Sequence, residues 1–285
     1  TGVQANLWTE YIPTMAQAQY MVLPRMAALC ETQWSAPEKK QDYQGFLKRT
    51  ARLTKIYQLK GWNYATHIFD VNVNIAPNTE TGKLDVTAST IDDAPVYYTL
   101  DGTEPTTASS KYENGLTIDA ACVLRMMAVR PEGNSRITRD SIAFSKSTAK
   151  PIILLQPINK PYEFKGATTL VDGMTGDRNY KTGRWLGFQG KDLDAVIDLK
   201  EPTEFSKVSF NTNVVKGDWI MGAAGVTVKV SDDGQNFKEV ASKVIPSLGK
   251  DDKDGLYPQE ISFDPVKARY VEVIIKSDKL PTWHG

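Results

Sequence analysis

From residue 67 onward the sequence consists of short runs rich in β-branched and aromatic residues, separated by turn-forming residues. Representative runs are "KLDVTAST", "PVYYTLDG" and "ARYVEVIIKS", and the segments between them carry Gly, Pro, Asn and Asp. This pattern predicts antiparallel strands, because each run suits an extended chain and each break suits a tight turn. The segment "VKVSDDGQNFKEV" places two alternating strands around Asp-Asp-Gly and predicts a β-hairpin. The predicted fold class is therefore mainly β, and the N-terminal part of the chain has a different pattern.

The stretch "GVQANLWTEYI", residues 2–12, predicts a strand from Val3 to Glu10. Because side chains alternate along a strand, Trp8 and Glu10 would then lie on one face. An indole ring can stack on the C–H groups of a sugar, and a carboxylate can accept protons from its hydroxyls. The pair therefore suits a sugar site, although a buried Trp beside an edge Glu would give the same spacing.

Residues 13–64 predict helices, with a break at Pro24. Ser35 is the predicted N-cap of the last helix, and Gly61 follows its last periodic residue. The predicted buried side of that helix is formed by Phe46, Leu47, Leu53, Ile56, Tyr57 and Leu59. One strand without a partner cannot support itself, so this zone is predicted to be an incomplete α/β remnant.

The changes of pattern divide the chain into three predicted domains, residues 1–64, 65–147 and 151–285. The second is predicted to be a small β-sandwich, and a polar, proline-ended linker, residues 145–151, joins it to the third. The third is β with a different rhythm and is expected to stop before its final strand.

Composition excludes several classes of partner. Lys plus Arg and Asp plus Glu both number 34, so the formal net charge is zero, which argues against nucleic acid or an anionic membrane as the main partner. Two cysteines, Cys30 and Cys122, are too few for a disulfide framework or a cysteine-based metal site. The sequence has no apolar run of about 18 residues that would predict a transmembrane segment.

The opening stretch, together with "YMVLPRMAALCETQWS" at residues 20–35, resembles glycoside hydrolase family 20 β-N-acetylhexosaminidases. In that family a strand ending in Trp-x-Glu closes the catalytic (β/α)₈ barrel, and a helix with a Pro-Arg-x-x-Ala-x-x-Glu-x-x-Trp-Ser stretch follows. The resemblance implies that residues 1–64 are the end of such a barrel. It also implies that Trp8 lines the pocket for the acetamido sugar and that Glu10 hydrogen-bonds a sugar hydroxyl, both as substrate-binding residues.

The same resemblance implies a retaining mechanism in which the substrate's own acetamido group is the nucleophile. An adjacent Asp-Glu pair on an earlier strand supports that chemistry, and no Asp-Glu dipeptide occurs in this sequence. The catalytic residues are therefore expected upstream of residue 1, no catalytic cofactor is expected, and the chain alone is predicted to be inactive.

The two β zones carry resemblances of their own. Residues 65–147 are similar to the small β-sandwich that follows the barrel in chitobiase-like hexosaminidases, through Tyr97, Tyr98, Asp101, Gly102, Pro105 and Tyr112. Residues 151–285 resemble a discoidin-like jelly-roll, the fold of F5/8 type C domains and family 32 carbohydrate-binding modules. The matching positions are Trp185, Gly187, Asp198, Leu199, Ser231, Asp233 and Gly234.

Many discoidin-like domains hold a structural calcium ion in the loop after the first strand. Here the resemblance assigns Asp172 and Asp177 to such a site, while a simple turn and a solvated loop residue remain the alternative. The acidic segment "GKDDKDG", residues 249–255, is predicted to be a solvated charged loop. Aromatic residues that could stack on a sugar are Tyr180, Trp219, Tyr257 and Trp283, although the apolar context "DWIMG" predicts that Trp219 is buried.

The function predicted is that of the C-terminal part of a bacterial exo-β-N-acetylhexosaminidase acting on terminal GlcNAc or GalNAc. The alternative is a binding region whose discoidin-like domain attaches the enzyme to glycans, and a purely bracing role for both β domains is the third possibility. The expected partners are β-linked N-acetylhexosamine glycans. The family resemblance implies a periplasmic, cell-surface or secreted location.

Overall fold

The computed structural model describes residues 3–39 and 42–280. Its packing separates two compact units. The first comprises Thr1–Asn74, Thr87–Leu116 and Val123–Asp140, and the second comprises Ile75–Val86, Thr117–Cys122 and Ser141–Gly285. The division into three domains at residues 64 and 147 stays a prediction. Among the helices of the described residues, none combines the length and apolar character of a membrane span.

The segment before the first helix is not a strand. Residues 3–9 are irregular and lead into a turn at Glu10 and Tyr11, so the predicted strand from Val3 to Glu10 is wrong for the part of the chain that the structure describes. The physical reason is that a strand is stabilised by hydrogen bonds to a neighbouring strand, and none of the sheets that the structure describes includes this segment.

Three helices follow, α1 (Met15–Val22), α2 (Arg25–Trp34) and α3 (Tyr43–Leu59). The hydroxyl of Thr14 caps α1 by accepting from the amide of Gln17 at 3.2 Å. Asp42 caps α3 by accepting from the amide of Gly45 at 2.8 Å. The prediction that Ser35 caps this helix is wrong, because Ser35 ends α2 and a separate 3₁₀ turn, Pro37–Lys39, follows.

The buried side of α3 is more polar than predicted. Its buried residues are Thr50, Thr54 and Tyr57, which follow the i, i+4, i+7 spacing of one helix face. The ring of Tyr57 packs on those of Trp62 and Tyr64, with centroids 6.0 and 5.7 Å away.

Two of the predicted core residues of α3, Ile56 and Leu59, are instead 50% and 87% exposed. Gly61 follows the helix with φ +66°, so the predicted end is confirmed.

Residues 72–142 form two small sheets. One has the strand order β1-β2-β5 and the other the order β4-β3-β6-β7, and β3 runs antiparallel to both of its neighbours. The strands are β1 (Asn72–Asn78), β2 (Lys83–Ser89), β3 (Val96–Thr99), β4 (Ser110–Tyr112), β5 (Leu116–Ile118), β6 (Cys122–Ala128) and β7 (Thr138–Ile142). Leu84 and Val86 of β2 are buried, as are Leu124 and Met126 of β6. This alternation confirms the predicted β character of the zone.

The second unit is built on a five-stranded antiparallel sheet in the order β11-β10-β12-β9-β8. Its strands are β8 (Ile152–Leu154), β9 (Leu193–Val214), β10 (Ala223–Ser231), β11 (Lys238–Val244) and β12 (Gly255–Ser277). The β10–β11 pairing confirms the predicted hairpin. The core of this unit contains Leu199, Ala223, Val226, Val228, Ile245, Ile261, Val271 and Val273.

The strands β9 and β12 are long because each continues through an irregularity. Their register shifts between Ala268 and Tyr270, close to Lys200, whose φ is +73°. Beyond this point β9 runs to Val214, which places its end beside the start of β12 at Gly255. The connection that follows β9 and the connection that precedes β12 therefore meet at the same end of this strand pair.

The predicted polar linker, residues 145–151, is buried at its centre and exposed at its start. Thr148 and Ala149 are 2% and 0% exposed, and the amide of Ala149 donates to the carbonyl of Val171 at 2.8 Å. The hydroxyl side chains of residues 145–148 hydrogen-bond to one another, and the role of residues 145–151 as a linker between two domains stays a prediction. Ser145 also donates its amide to the hydroxyl of Thr148 at 2.9 Å.

Candidate functional site

The connection between β9 and β10 is a tight turn that exposes an indole ring. Lys216–Asp218 form one 3₁₀ turn, and the residues on either side, Val215 and Ile220, pair with each other through backbone hydrogen bonds of 3.0 and 3.1 Å. Trp219 ends the turn in the left-handed region, with φ +61°, and is 70% exposed. The prediction that Trp219 is buried is therefore wrong, because closing the turn directs its side chain outward.

An aromatic group supports this turn on one side. The hydroxyl of Tyr180 donates to Oδ2 of Asp218 at 2.8 Å, and this hydrogen bond raises the pKa of Tyr180. The ring of Tyr180 meets that of Tyr162 edge to face at 5.9 Å, and the ammonium of Lys181 lies 5.4 Å from the Tyr180 centroid. Tyr180, one of the predicted sugar-stacking residues, thus lies next to the Trp219 turn.

The connection between β11 and β12 contacts the turn from another direction. Asp254 accepts from the backbone amide of Lys216 at 3.2 Å through Oδ1. The Lys216 ammonium donates to the carbonyls of Lys250 at 3.0 Å and Gly249 at 3.4 Å. The turn carrying Trp219 is therefore held between two other connections of the same unit.

The remaining aromatic candidates contribute less to this surface. Tyr257 is half-buried, and its hydroxyl donates to the carbonyl of Lys253, which ties it to its own loop. Trp283 lies outside the described residues.

The loop that the resemblance assigned to calcium contains one buried and one exposed carboxylate. Asp172 is 3% exposed, and its Oδ1 accepts from the amide of Met174 at 2.8 Å. Burial raises the pKa of Asp172, against the opposing effect of the Lys165 and Arg184 charges. Asp177 is exposed, and its Oδ1 accepts from the amide of Asn179 at 2.9 Å. Both side chains therefore shape the loop itself.

The chemistry of this loop fits a calcium ion in part. The hydroxyl oxygen of Thr169 is buried and has no hydrogen-bond partner among the described residues. Thr169 lies within the 3₁₀ segment Gly166–Val171, and Asp172 follows its last residue. Calcium is coordinated by hydroxyl, carboxylate and carbonyl oxygens. Within the described part of the chain there is no group of three or more His, Cys, Asp or Glu residues that could hold a metal ion. An ion here would need neutral oxygens in addition to the Asp172 carboxylate.

The predicted barrel residues are not brought into an enclosed site by the described structure. Trp8 is 72% exposed, and Glu10 is exposed in the turn that precedes α1. They are close in sequence but not on a common strand face. Their role in substrate binding stays a prediction.

Comparison with protein families assigns each zone. Residues 1–37 match the catalytic domain of glycosyl hydrolase family 20, residues 75–139 the chitobiase/beta-hexosaminidase C-terminal domain, and residues 157–285 the F5/8 type C domain. The three matches follow one another along the chain in this order.

Curated relatives agree with this assignment. The chain is 31% identical over 135 residues to a beta-hexosaminidase of Porphyromonas gingivalis, covering 46% of this chain and 17% of the relative. It is 36% identical over 69 residues to a beta-hexosaminidase of Vibrio vulnificus, covering 24% of this chain and 7% of the relative. The chain therefore spans less than a fifth of the length of either relative.

Solved structures similar to this chain include carbohydrate-binding modules. One is chitosan-binding module 1 of a Paenibacillus chitosanase/glucanase, with a TM-score of 0.34, 17% identity, and coverage of 48% of this chain and 90% of the module. Another is the Clostridium perfringens module CpGH89CBM32-5, solved with GalNAc-β-1,3-galactose, with a TM-score of 0.32, 16% identity, and coverage of 44% and 83%.

Two of the positions that carried the discoidin-like resemblance, Trp185 and Asp198, make contacts within the fold. The indole N–H of Trp185 donates to the carbonyl of Asp177 at 2.8 Å, and its ring lies so close to Gly176 that a Cβ there would be 2.3 Å away. Asp198 forms a bidentate ion pair with Arg269, at 2.8 and 2.9 Å. Lys216 and Asp218, which hold the turn, were not identified from the sequence. The available signal was a glycine between two strand-like runs, close to a tryptophan, which indicates a turn.

Proposed function

We propose that the second unit binds glycans and attaches a family 20 β-N-acetylhexosaminidase to its substrate, with Trp219 as the stacking surface. The observation that carries this proposal is the 70% exposure of Trp219 on a turn held from both sides. An exposed indole offers a flat apolar face for the C–H groups of a pyranose ring, and a backbone turn that is already held in place loses little conformational freedom on binding.

The surroundings of Trp219 suit a neutral sugar. Asp218, which precedes Trp219 in the chain, offers a carboxylate that accepts from the Tyr180 hydroxyl, and the Lys181 ammonium lies 5.4 Å from the Tyr180 ring centroid. Carboxylates and ammonium groups are mixed here, which favours hydroxyl and acetamide groups over a polyanion as the partner. GlcNAc- or GalNAc-terminated oligosaccharides are therefore the proposed ligands.

The test is titration of the 285-residue chain with chitobiose and with GalNAc-β-1,3-galactose by isothermal calorimetry. Trp219→Ala is expected to weaken binding at least tenfold. Trp34→Ala is the matched control, because Trp34 is 87% exposed but belongs to the first unit. Equal binding by wild type and Trp219→Ala would contradict the assignment of the site, and no binding by wild type would contradict the ligand class.

For the parent protein we propose exo-hydrolysis of β-linked N-acetylhexosamine, with Trp8 and Glu10 contacting the substrate and the catalytic carboxylates supplied by other sequence. Support comes from the match of residues 1–37 to the catalytic domain and from the large apolar side chains exposed nearby. Tyr11, Met15 and Trp34 are 90%, 74% and 87% exposed, as expected of surfaces that pack against further protein.

This proposal predicts that the 285-residue chain releases no aryl leaving group from a β-N-acetylglucosaminide, whereas a chain extended upstream through the barrel does. Turnover by the shorter chain would require carboxylates other than the expected pair. Glycan binding and hydrolysis of extracellular polymers together point to a periplasmic, cell-surface or secreted enzyme. Detection of the native protein in the cytoplasm alone would contradict this location.

We also propose that the segment 169–177 binds one calcium ion. Thr169, Asp172 and backbone carbonyls would supply the oxygens, with Asp177 at the exposed side. The ion would stabilise the loop and take no part in hydrolysis.

A further inference from the structure

We infer that residues 249–254 form a cation site whose resident cation is the ammonium group of Lys216, and that this contact fixes the turn that carries Trp219. The inference that these residues form a cation site is independent of the proposed function. The inference that the contact affects sugar binding rests on the proposed function.

The Lys216 side chain enters a loop whose oxygens converge on it. Its Nζ donates to the carbonyls of Lys250 (3.0 Å), Gly249 (3.4 Å) and Asp252, and lies 4.0 Å from Oδ1 of Asp254. An ammonium has three N–H donors and no acceptor, so three carbonyls and a nearby carboxylate match its hydrogen-bonding capacity. The side chain is only 15% exposed, which distinguishes it from a surface lysine that samples many rotamers.

The loop closes on itself around this group. Oδ2 of Asp252 accepts from the amide of Gly249 at 2.7 Å, and the amide of Asp252 donates back to the Gly249 carbonyl at 3.3 Å. Carbonyl dipoles that point to one centre repel each other unless a positive charge lies there. Lys216 supplies that charge from a different connection of the fold. The segment "GKDDKDG" is therefore more than a solvated acidic run, because its oxygens hold a protein cation.

The contact reaches Trp219 through the backbone. The amide of Trp219 donates to the carbonyl of Lys216 at 3.0 Å, and Oδ1 of Asp254 accepts the Lys216 amide. Main chain and side chain of Lys216 thus both join the loop, and Trp219 is three residues away in the same turn. Lys216 is a positioning residue: it need not touch the sugar to set where the indole ring lies.

The experiment compares Lys216→Ala with Lys216→Met in the 285-residue chain, using n-propylammonium as the probe. Alanine leaves a channel that matches this ion, whereas methionine fills the channel without a charge. Backbone hydrogen exchange of residues 216–222 and 249–255 is expected to become at least tenfold faster in both variants. Millimolar n-propylammonium should restore protection in Lys216→Ala only, and tetramethylammonium at equal concentration should restore neither. Unchanged exchange, or equal rescue of both variants, would overturn the cation site.

Calorimetry with the oligosaccharide that wild type binds then tests the second part. Lys216→Ala is expected to weaken binding about tenfold, with recovery in n-propylammonium and little change in the thermal midpoint. If Trp219→Ala loses binding while Lys216→Ala keeps wild-type affinity, the positioning role is wrong even where the exchange results support the cation site. If wild type binds neither oligosaccharide, the proposed function fails, and protection of residues 216–222 alone decides whether Lys216 fixes the turn.

Discussion

Replacing Asp194 by asparagine is expected to stabilise the second unit at neutral pH, although the change removes a charged side chain from a sheet. Asp194 lies on β9 opposite Ile274 of β12, one alternate position from Glu272 on the same face. Glu272 is 7% exposed and pairs with Lys229 at 3.1 Å. The cluster of Asp194, Glu272 and Lys229 thus contains two carboxylates and one ammonium, and Oδ1 of Asp194 is buried with no hydrogen-bond partner among the described residues.

The sign of the effect follows from the pKa of Asp194. Burial and then the negative charge of Glu272 raise this pKa, while Lys229 opposes the shift. The folded state therefore binds the Asp194 proton more tightly than the unfolded state does. The contribution of this group to stability is present at low pH and is lost as the pH rises from the unfolded pKa through the folded pKa. An asparagine carries no such cost and can donate its amide N–H to the Glu272 carboxylate.

The magnitude follows from the desolvation penalty of a polar group, about 1–3 kcal/mol and more for a charged one, because asparagine keeps a polar atom in place but removes the negative charge. Because Asp194 is half-buried rather than fully buried, the lower end, about 1 kcal/mol, is expected. With a urea m-value of about 2–3 kcal/mol/M, the midpoint of the second unit should rise by roughly 0.3–0.5 M. The measurement is urea unfolding at several pH values between 3.5 and 8, and the gain should nearly vanish at the acidic end.

The matched control is Asp264→Asn, an exposed position on β12 with the same chemical change. It should leave the midpoint within about 0.2 M of wild type, as surface substitutions usually do. A loss of stability in Asp194→Asn at pH 7, or a gain independent of pH, would refute the reasoning that Asp194 is a destabilising buried carboxylate.

Three further predictions concern other parts of the molecule. Arg269→Met removes the bidentate pair that lowers the pKa of Asp198, so it should lower the urea midpoint of the second unit at pH 7; the difference should disappear in acid unfolding curves as the pH falls through the folded pKa of Asp198. Millimolar calcium, but not magnesium, should raise the thermal midpoint of the second unit reversibly, and Asp177→Asn should weaken that response; no calcium effect would contradict the proposed site. In an enzyme that includes the barrel, Glu10→Gln should lower kcat/KM about tenfold or more through loss of a charged hydrogen bond, and unchanged kinetics would remove Glu10 from the substrate site.

The sequence was most informative where structure depends on neighbouring residues. The β10–β11 hairpin was predicted from Asp-Asp-Gly, and the turn holds for that local reason. Oδ1 of Asp233 accepts from the amides of Gln235 and Asn236, both at 2.8 Å, and Gly234 takes φ +72°. These hydrogen bonds hold the pKa of Asp233 well below its usual range. The end of α3 at Gly61 was predictable on the same grounds.

Predictions failed where the decisive partner lies far along the chain. The strand from Val3 to Glu10 was expected from alternation, but alternation supplies no neighbouring strand. Ile56 and Leu59 were expected in a core because they are apolar, yet the buried face of α3 is set by the position of Thr50, Thr54 and Tyr57. Apolar character predicts that a residue prefers burial. It does not say which surface will cover it.

The candidate glycan site belongs to this second class. Trp219 stands in an apolar run that predicts burial, and its exposure results from contacts made by residues 180 and 249–254, each more than 25 positions away. Antiparallel pairing of β9 with β12 brings the ends of those connections together, and hydrogen bonds from Lys216 and Tyr180 then fix the turn. The sheet therefore determines where these connections meet. In the proposed function, a lysine in one connection and carbonyl oxygens in another hold the turn that presents the indole ring. Substitutions in the sheet should change the stability of the whole unit, whereas substitutions at Lys216 should change affinity first.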